Sequence, residues 1–411
     1  MEPKFFLIAM FAIVALPMLR GALRQLAFLL ANVAFVWILL SAIGGPDAAS
    51  ADRTRILVGA ASTVAFCALG YLLTRLTMWR PHFFLVALLS YLVLFIYMRN
   101  YEFLQWVLPQ GMLVRVLATV GLSFLFFKIV HVMIEARSGT LGPLEPLTYL
   151  NYCLNFTTFM MGPIQRYQDF YAQWHGHKES IPLTFDAHLN AVLRILVGLF
   201  KAYVIAEWLA PYTLTIDSDV AAMPAWQLLL SIYAFYGYLY FNFAGYCDVV
   251  IGVGSLFGVR PPENFDKPFL ARNVSEFWLR QHRSLTLWLT DYVFSPLYKW
   301  SLGTRWLGAH PLLAMNLAVF VTLFVSGVWH GTTVPFIVFG IVHGLYQIIY
   351  RTWDAVMSKR LGRQKFKQLR ENWAMQAAGM VVTFNAVAFA FLFFRLDTGR
   401  ALGVLARLGS F

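Results

Sequence analysis

Val325-Ser326-Gly327-Val328-Trp329-His330-Gly331-Thr332-Thr333 joins two apolar runs, 312–328 before it and 334–350 after it. Each run approaches the roughly 20 residues that cross about 30 Å of hydrocarbon as a helix. Neither shows the period of two that a barrel strand requires. The pattern predicts two membrane helices meeting at a short turn, with His330 at the junction. An ionisable side chain at membrane depth is costly, so it faces a cavity or a partner and often marks function. Imidazole also has the ordinary pKa best suited to proton transfer near neutral pH. From the local pattern two readings stand side by side: a reacting histidine, or an interfacial or satisfied core histidine.

The same texture extends over all 411 residues, of which 59% are hydrophobic, 17% aromatic and only 13% charged. A soluble domain carries roughly twice that charged fraction. Lipid offers backbone groups no water, which leaves helices or closed barrels, and unbroken apolar runs select helices. Candidate spans are 5–19, 26–43, 56–73, 83–97, 114–134, 191–209, 226–243, 312–328, 334–350 and 375–394. The expected fold class is all-α: a polytopic membrane protein of about ten or more helices, one membrane domain over 1–411, with N-terminal helices in 1–110 and a core over 115–396. Stretches 44–55, 74–82 and 99–112 read as loops from their charges, Gly and Pro. The net charge of +12 is read as topology signal and contact with anionic lipid, with no nucleic-acid partner. Its densest part is Arg351, Lys359, Arg360, Arg363, Lys365, Lys367 and Arg370, opposed by Asp354 and Glu371, and the positive-inside tendency makes that loop cytoplasmic. Cys67, Cys153 and Cys247 are widely spaced and read as buried small hydrophobes; no metal site is expected.

Three further stretches break the apolar monotony. Lys128, His131 and Glu135 stand at i, i+3 and i+7, one face of a helix. They line a wet pocket or form a helix end snorkelling into headgroups. Residues 141–181 are aromatic, polar and interrupted by Gly and Pro, which fits a re-entrant or interfacial loop; His175 and His177 there read as a solvated hairpin. Arg260-Pro261-Pro262-Glu263-Asn264-Phe265-Asp266-Lys267-Pro268 must be irregular. Asn273 or Ser275 then caps an amphipathic helix over 277–289 that places Trp278, His282 and Leu285 on one face. Either His282 enters a cavity opposite His330, or it is incidental to a surface helix.

At these residues the chain resembles the membrane-bound O-acyltransferase family, most nearly its bacterial branch of alginate O-acetylation and teichoic-acid D-alanyl transfer proteins. The matching pieces are 121–135, 162–167, 240–257, 262–268, 277–296, 326–331 and 393–395, in family order. The resemblance implies helices around a central tunnel in a bacterial cytoplasmic membrane. It also implies acyl transfer from a cytoplasmic thioester to a hydroxyl on the far side. It maps the family's catalytic histidine onto His330 and its second histidine onto His282. One departure is Asn242, where these relatives usually carry an acidic residue.

Acyl transfer needs a base for the attacking hydroxyl, an acid for the leaving group and stabilisation of the oxyanion. His330 is expected as the base, with His282 orienting a substrate or relaying a proton. Trp329, Ser326 and Trp278 are candidate substrate contacts, and Asn316 either helps hold the site or joins two helices. Gly327 and Gly331 are expected to leave room for the thioester or hydroxyl. No serine-hydrolase elbow or zinc-protease motif occurs, so direct transfer is expected rather than an acyl-enzyme. No cofactor is expected to be bound; the donor is acetyl-CoA or an acyl carrier protein thioester. Partners are that donor, an extracytoplasmic polysaccharide or acyl-accepting protein, and the bilayer. Competing classes are a proton-coupled transporter and a non-catalytic scaffold for an extracytoplasmic transferase.

Overall fold

The structure, a computed structural model, describes residues 3–42, 51–102, 104, 121–176, 184–215, 218–220 and 222–409. Every regular element among them is helical. Eight helical stretches are long and apolar enough to cross a membrane: Gly21–Ala42, Ile56–Trp79, Pro81–Arg99, Phe185–Tyr212, Ala225–Leu256, Pro311–His330, Val334–Leu361 and Trp373–Arg395. The chain is a multi-pass helical membrane protein. The first expected span is a helix of only 16 residues. Residues 114–120 of the fifth, most of the loops at 44–55 and 99–112, and His177 lie outside the described residues.

The described residues form two compact units. The first, Met1–Leu199 with Gly245–Pro262, contains α1 (Pro3–Met18), α2 (Gly21–Ala42), α3 (Ala51–Trp79), α4 (Phe84–Arg99), α5 (Leu122–Ser138), α6 (Pro146–Leu154), α7 (Tyr167–Trp174) and α8 (Phe185–Phe200). Helix α3 takes in residues 51–55 and 74–79, expected as loop. At its polar end Thr74 and Thr77 return their hydroxyls to Gly70 O (2.7 Å) and Leu73 O (2.9 Å), which satisfies them inside the helix.

Lys128 and His131 share the inner face of α5, each 1% exposed. The Lys128 ammonium donates to Tyr152 O (2.9 Å), Cys153 O (3.4 Å) and Thr158 Oγ1 (2.7 Å). The snorkelling reading therefore fails: the protein's own carbonyls solvate the charge. His131 Nε2 accepts from the Tyr167 amide at 3.1 Å, and Gln168 reaches Glu135 at 3.2 Å. These bonds fasten the irregular segment between α6 and α7. That segment is buried, with Phe156 and Thr157 fully covered. Asn32 Oδ1 accepts the Phe156 amide at 2.9 Å, and Tyr152 OH donates to Gln165 O at 2.9 Å. A loop at membrane depth persists because side chains satisfy its backbone.

The second unit is Phe200–Ala244 with Glu263–Phe411. A π-helical turn leads into α9 (Ala206–Leu209), and α10 (Ala225–Leu256) contributes its first part. Then follow α11 (Val274–Arg280), α12 (Arg283–Leu289), α13 (Ser295–Gly303), α14 (Arg305–Gly308), α15 (Pro311–His330), α16 (Val334–Leu361), α17 (Arg363–Glu371), α18 (Trp373–Ala390), α19 (Leu392–Arg395) and α20 (Thr398–Gly409). Their core is apolar and aromatic, including Ile232, Tyr236, Phe277, Phe339, Phe391 and Val404.

Helices α15 and α16 pack as a hairpin. A Cβ on Gly327 would stand 2.4 Å from Phe336 O and 2.7 Å from Gly340 Cα, and one on Gly331 would stand 2.0 Å from the Phe336 ring. The space these glycines leave is filled by α16, which corrects the expectation that it admits substrate. Small residues are what let membrane helices close to backbone distance. Beyond α16, α17 buries Phe366 and turns its basic residues outward, as a helix lying on a membrane surface does.

Replacing Lys128 by Met would strand two carbonyls and a hydroxyl, at about 1–3 kcal/mol for each buried group left unsatisfied. The expected result is a fall of several degrees in the melting temperature of the detergent-solubilised protein, partly recovered by Lys128→Arg. An unchanged melting temperature would refute the structural role.

Candidate active site

The amphipathic helix expected over 277–289 is broken in two. Asn273 caps α11, its Oδ1 accepting the Glu276 amide at 2.8 Å. The Glu276 carboxylate binds Arg272 and Arg280, each at 2.8 Å. Burial alone would raise the pKa of Glu276, but the two guanidiniums overcome it and hold the carboxyl down at about 2. Helix α11 ends at Gln281, whose backbone is extended, and His282 follows with φ +46° and ψ +49°. This left-handed conformation is disfavoured for a side chain with a Cβ. The Pro-rich segment before α11 explains why it persists. Asn264, 1% exposed, accepts the Arg283 amide on its carbonyl at 2.9 Å. Its Oδ1 accepts the Ser284 amide (3.1 Å) and hydroxyl (2.6 Å). Asn264 thus caps α12 from outside, and the Asp266 amide bonds Arg280 O at 2.9 Å from the other side. The break also corrects the single face assigned to Trp278, His282 and Leu285, since the residues no longer share one helix.

The turn aims His282 at the end of the α15–α16 hairpin. Its ring centroid lies 6.4 Å from that of His330, 6.0 Å from Trp329 and 5.0 Å from Phe243. His330 is the last residue of α15, half-buried, in contact with Trp329 (4.8 Å), Phe394 (4.9 Å) and Phe339 (5.9 Å). His282 is only 5% exposed, and burial pushes its imidazole down to about 3. One imidazole is therefore reachable and the other is fixed and neutral, within a wall of aromatic rings. Such a pair can exchange a proton with a bound hydroxyl where bulk water is scarce.

The structure brings together His330, His282 and Trp329. Ser326 sits one turn before His330 on α15, 1% exposed, its hydroxyl without a hydrogen-bond partner among the described residues. Trp278 turns elsewhere and packs on Phe277 (5.5 Å) and His343 (5.1 Å). Asn316 does not reach the site. It stands 14 residues before His330, roughly 21 Å along a helix, and donates to Thr352 Oγ1 at 3.2 Å, so it joins α15 to α16. Asn242 precedes Phe243, the ring that packs on His282. Sequence reading passed over Phe339, His343 and Phe394. Phe394 lies within the family-like piece 393–395, while His343 sits in a run legible only as a membrane span.

The chain is thus a multi-pass helical protein with two imidazoles converging beside a membrane hairpin. Residues 124–383, more than half the chain, match the model of the membrane-bound O-acyltransferase (MBOAT) family. The chain belongs to this family, whose members are O-acyltransferases. Teichoic acid D-alanyltransferase of Bacillus subtilis (strain 168) is 31% identical over 283 residues, covering 68% of this chain and 69% of that protein. The enzyme of the same name from Streptococcus thermophilus is 32% identical over 290 residues, 67% of this chain and 68% of its own length. A probable alginate O-acetylase of Pseudomonas fluorescens is 28% identical over 310 residues, 74% of this chain and 57% of that protein.

Two outcomes follow from the clamp. Asn264→Ala removes the side-chain acceptor of the Ser284 amide and hydroxyl and leaves only the Arg283 amide held by the main-chain carbonyl, so His282 relaxes from its left-handed backbone. Acyl transfer should then fall at least tenfold with a smaller loss of stability, and Asn264→Asp, which keeps the acceptor, should recover most of it; equal activity in all three forms would disprove the clamp. The second outcome concerns pH. The folded His282 resists protonation down to about 3, whereas the unfolded chain takes up a proton near the ordinary 6.5. Its contribution to stability is full above 6.5 and is lost as pH falls toward 3. Melting temperatures of His282→Phe measured from pH 7.5 to 4.5 should therefore fall less steeply than those of the wild type.

Proposed function

We propose that this protein moves an acyl group, acetyl or D-alanyl, from a cytoplasmic thioester donor to a hydroxyl on the opposite side of a bacterial cytoplasmic membrane. The acceptor is a cell-envelope polysaccharide, or a partner protein that passes the acyl group on. The observation that carries this reading is the pairing of half-buried His330 with buried His282 at 6.4 Å, on two elements that different devices hold in place. The printed activities of the relatives, D-alanyl transfer to teichoic acid and O-acetylation of alginate, support the acyl groups and the type of acceptor.

In the reaction so read, His330 takes the acceptor's hydroxyl proton as the oxygen attacks the thioester carbonyl carbon. The tetrahedral intermediate collapses with cleavage of the C–S bond, and the imidazolium returns its proton to the leaving thiolate. His282, neutral, orients the acceptor or relays that proton. The basic residues of α16 and α17, from Arg351 to Arg370, mark the cytoplasmic side and attract the phosphates of a CoA or carrier-protein donor. His330 lies at the other end of α16, beside Phe339.

The test is ester content. Cells in which the native gene is replaced by His330→Ala should lose the envelope O-acyl esters measured by mass spectrometry of released acetate and D-alanine. Purified enzyme should lose about 10²–10⁴ in rate, the scale of a removed general base. Membrane levels of the protein should not change. Unchanged esters would leave a scaffold that recruits another transferase.

A further inference from the structure

Helices α16, α17 and α18 enclose a cavity of about 890 Å³, a size typical of small-molecule sites. Its two ends differ in chemistry. Beside α17 the lining carries Arg363, Lys367 and Arg370 with Asp354, Ser358 and Glu371. Toward the other end it carries Tyr346 and Ile349 of α16 and Val382 and Ala386 of α18. From Ser358 to Tyr346 the distance along α16 is roughly 18 Å at 1.5 Å per residue. That spans the hydrocarbon of one leaflet, about 15 Å or half of the roughly 30 Å core. On the opposite wall Met375, Gly379, Val382 and Ala386 recur at helical spacing, one face of α18. A Cβ on Gly379 would stand 2.3 Å from Arg272 O, so at that point α18 lies directly against the chain that enters α11. Ile349 and Val382 are exposed, which leaves the apolar end open to the side.

The polar end lies at headgroup level. Trp353 on its wall and Trp373 at the start of α18 are both exposed, as aromatic residues are where a membrane meets water. The cations there are unequally engaged. Arg370 is paired with Asp354 at 3.0 Å, and Arg272 with Glu276 at 2.8 Å. Lys367 meets Glu371 at 3.8 Å with both side chains largely exposed, a contact of little net worth in water. The Arg363 guanidinium has no ion pair or hydrogen bond among the described residues. An uncommitted guanidinium and a loosely held ammonium therefore stand together at the mouth of a slot whose depth is apolar.

We propose that this cavity seats an anionic phospholipid of the leaflet on which α17 lies. Its phosphate sits between Arg363 and Lys367, which are one helical turn apart, and one acyl chain runs along the groove between α16 and α18. Guanidinium and ammonium groups match phosphate oxygens as charge-assisted donors. A free phosphate ester offers the same headgroup chemistry but leaves the apolar length unfilled, so charged mouth and apolar depth together select the lipid. The inference goes beyond the acyl-transfer reading and stands apart from it: no thioester, acceptor or imidazole enters it.

The probe is phosphatidylglycerol, with phosphatidylcholine as the zwitterionic control, titrated into the delipidated full-length protein in detergent and read by native mass spectrometry. Wild type should bind one phosphatidylglycerol about tenfold more tightly than phosphatidylcholine, since each basic group near an anionic headgroup is worth about fivefold in affinity. By the same measure Arg363→Gln combined with Lys367→Gln should weaken it about 25-fold. Arg360→Gln combined with Lys365→Gln removes the same charge from exposed residues off the lining and should leave binding unchanged. Ala386→Phe, which fills the deep end, should weaken the lipid but not its deacylated headgroup, glycerophosphoglycerol; if that variant does not fold, Val382→Phe at an exposed position takes its place. No measurable binding, equal binding of the two lipids, or equal losses in the two double variants overturns the proposal. Glycerophosphoglycerol or coenzyme A binding as tightly as the lipid also overturns it, in favour of a soluble phosphate ester. Because no acyl group moves, the result is separate from the fate of the transfer reading, which the His330→Ala ester assay decides.

Discussion

His282 keeps a backbone conformation ill suited to a residue with a Cβ because Asn264 takes the amides that a continuous helix would have used. Remove that capture, and the chain from Val274 to Leu289 has every reason to become one amphipathic helix on the membrane surface. Its histidine would then project wherever the helical period sent it. The Pro-rich segment is therefore more than a connector. Its restricted backbone presents one buried Asn, whose carbonyl and side chain end one helix's influence and begin the next.

A second constraint places the other imidazole. His330 closes a helix that lies against its neighbour at backbone distance, because neither Gly327 nor Gly340 has a side chain to hold the pair apart. Phe336 and Phe339, early in α16, are thereby brought beside the end of α15. Phe394 adds a third ring from α19. The two histidines thus converge through two different devices, an external cap and a glycine crossing.

Much of this was legible in the residues. Continuous apolar runs identified the spans because hydrocarbon allows the backbone few alternatives, and the run of prolines announced irregular chain. The boundaries that failed did so where a local bond outweighs composition. Thr74 and Thr77 look like loop residues until their hydroxyls turn back on the helix. The period that put Trp278 and His282 on one face was sound arithmetic for a helix that Asn264 interrupts, and a contact from ten or more residues upstream leaves no mark on periodicity. Of the two roles open to Asn316, the bond to Thr352 selects the joining of two helices; membership of the helix leading to His330 says nothing about how many turns away a side chain sits. Gly327 and Gly331 were singled out correctly as positions of close approach, but sequence does not say whether the approaching atoms belong to a ligand or to the neighbouring helix.

Hydrogen-bond saturation separates polar groups that hold the fold from those free to engage something else. The Lys128 ammonium has three acceptors within reach, two of them backbone carbonyls, and it has no donor left for a transported ion or substrate. That weakens the reading of Lys128, His131 and Glu135 as the lining of a wet pocket: two of the three are covered, and all are engaged with neighbouring chain. His343 presents the opposite case, a ring as deeply buried as Lys128 with both nitrogens unclaimed. Burial is equal, so the difference lies in what the fold has supplied. A structural polar group is surrounded by partners encoded elsewhere in the chain, whereas the rings of Phe277, Trp278, Phe339, Tyr346 and Phe391 pack around His343. Such a cage packs against the faces of the ring and leaves its two nitrogens without a partner among the described residues.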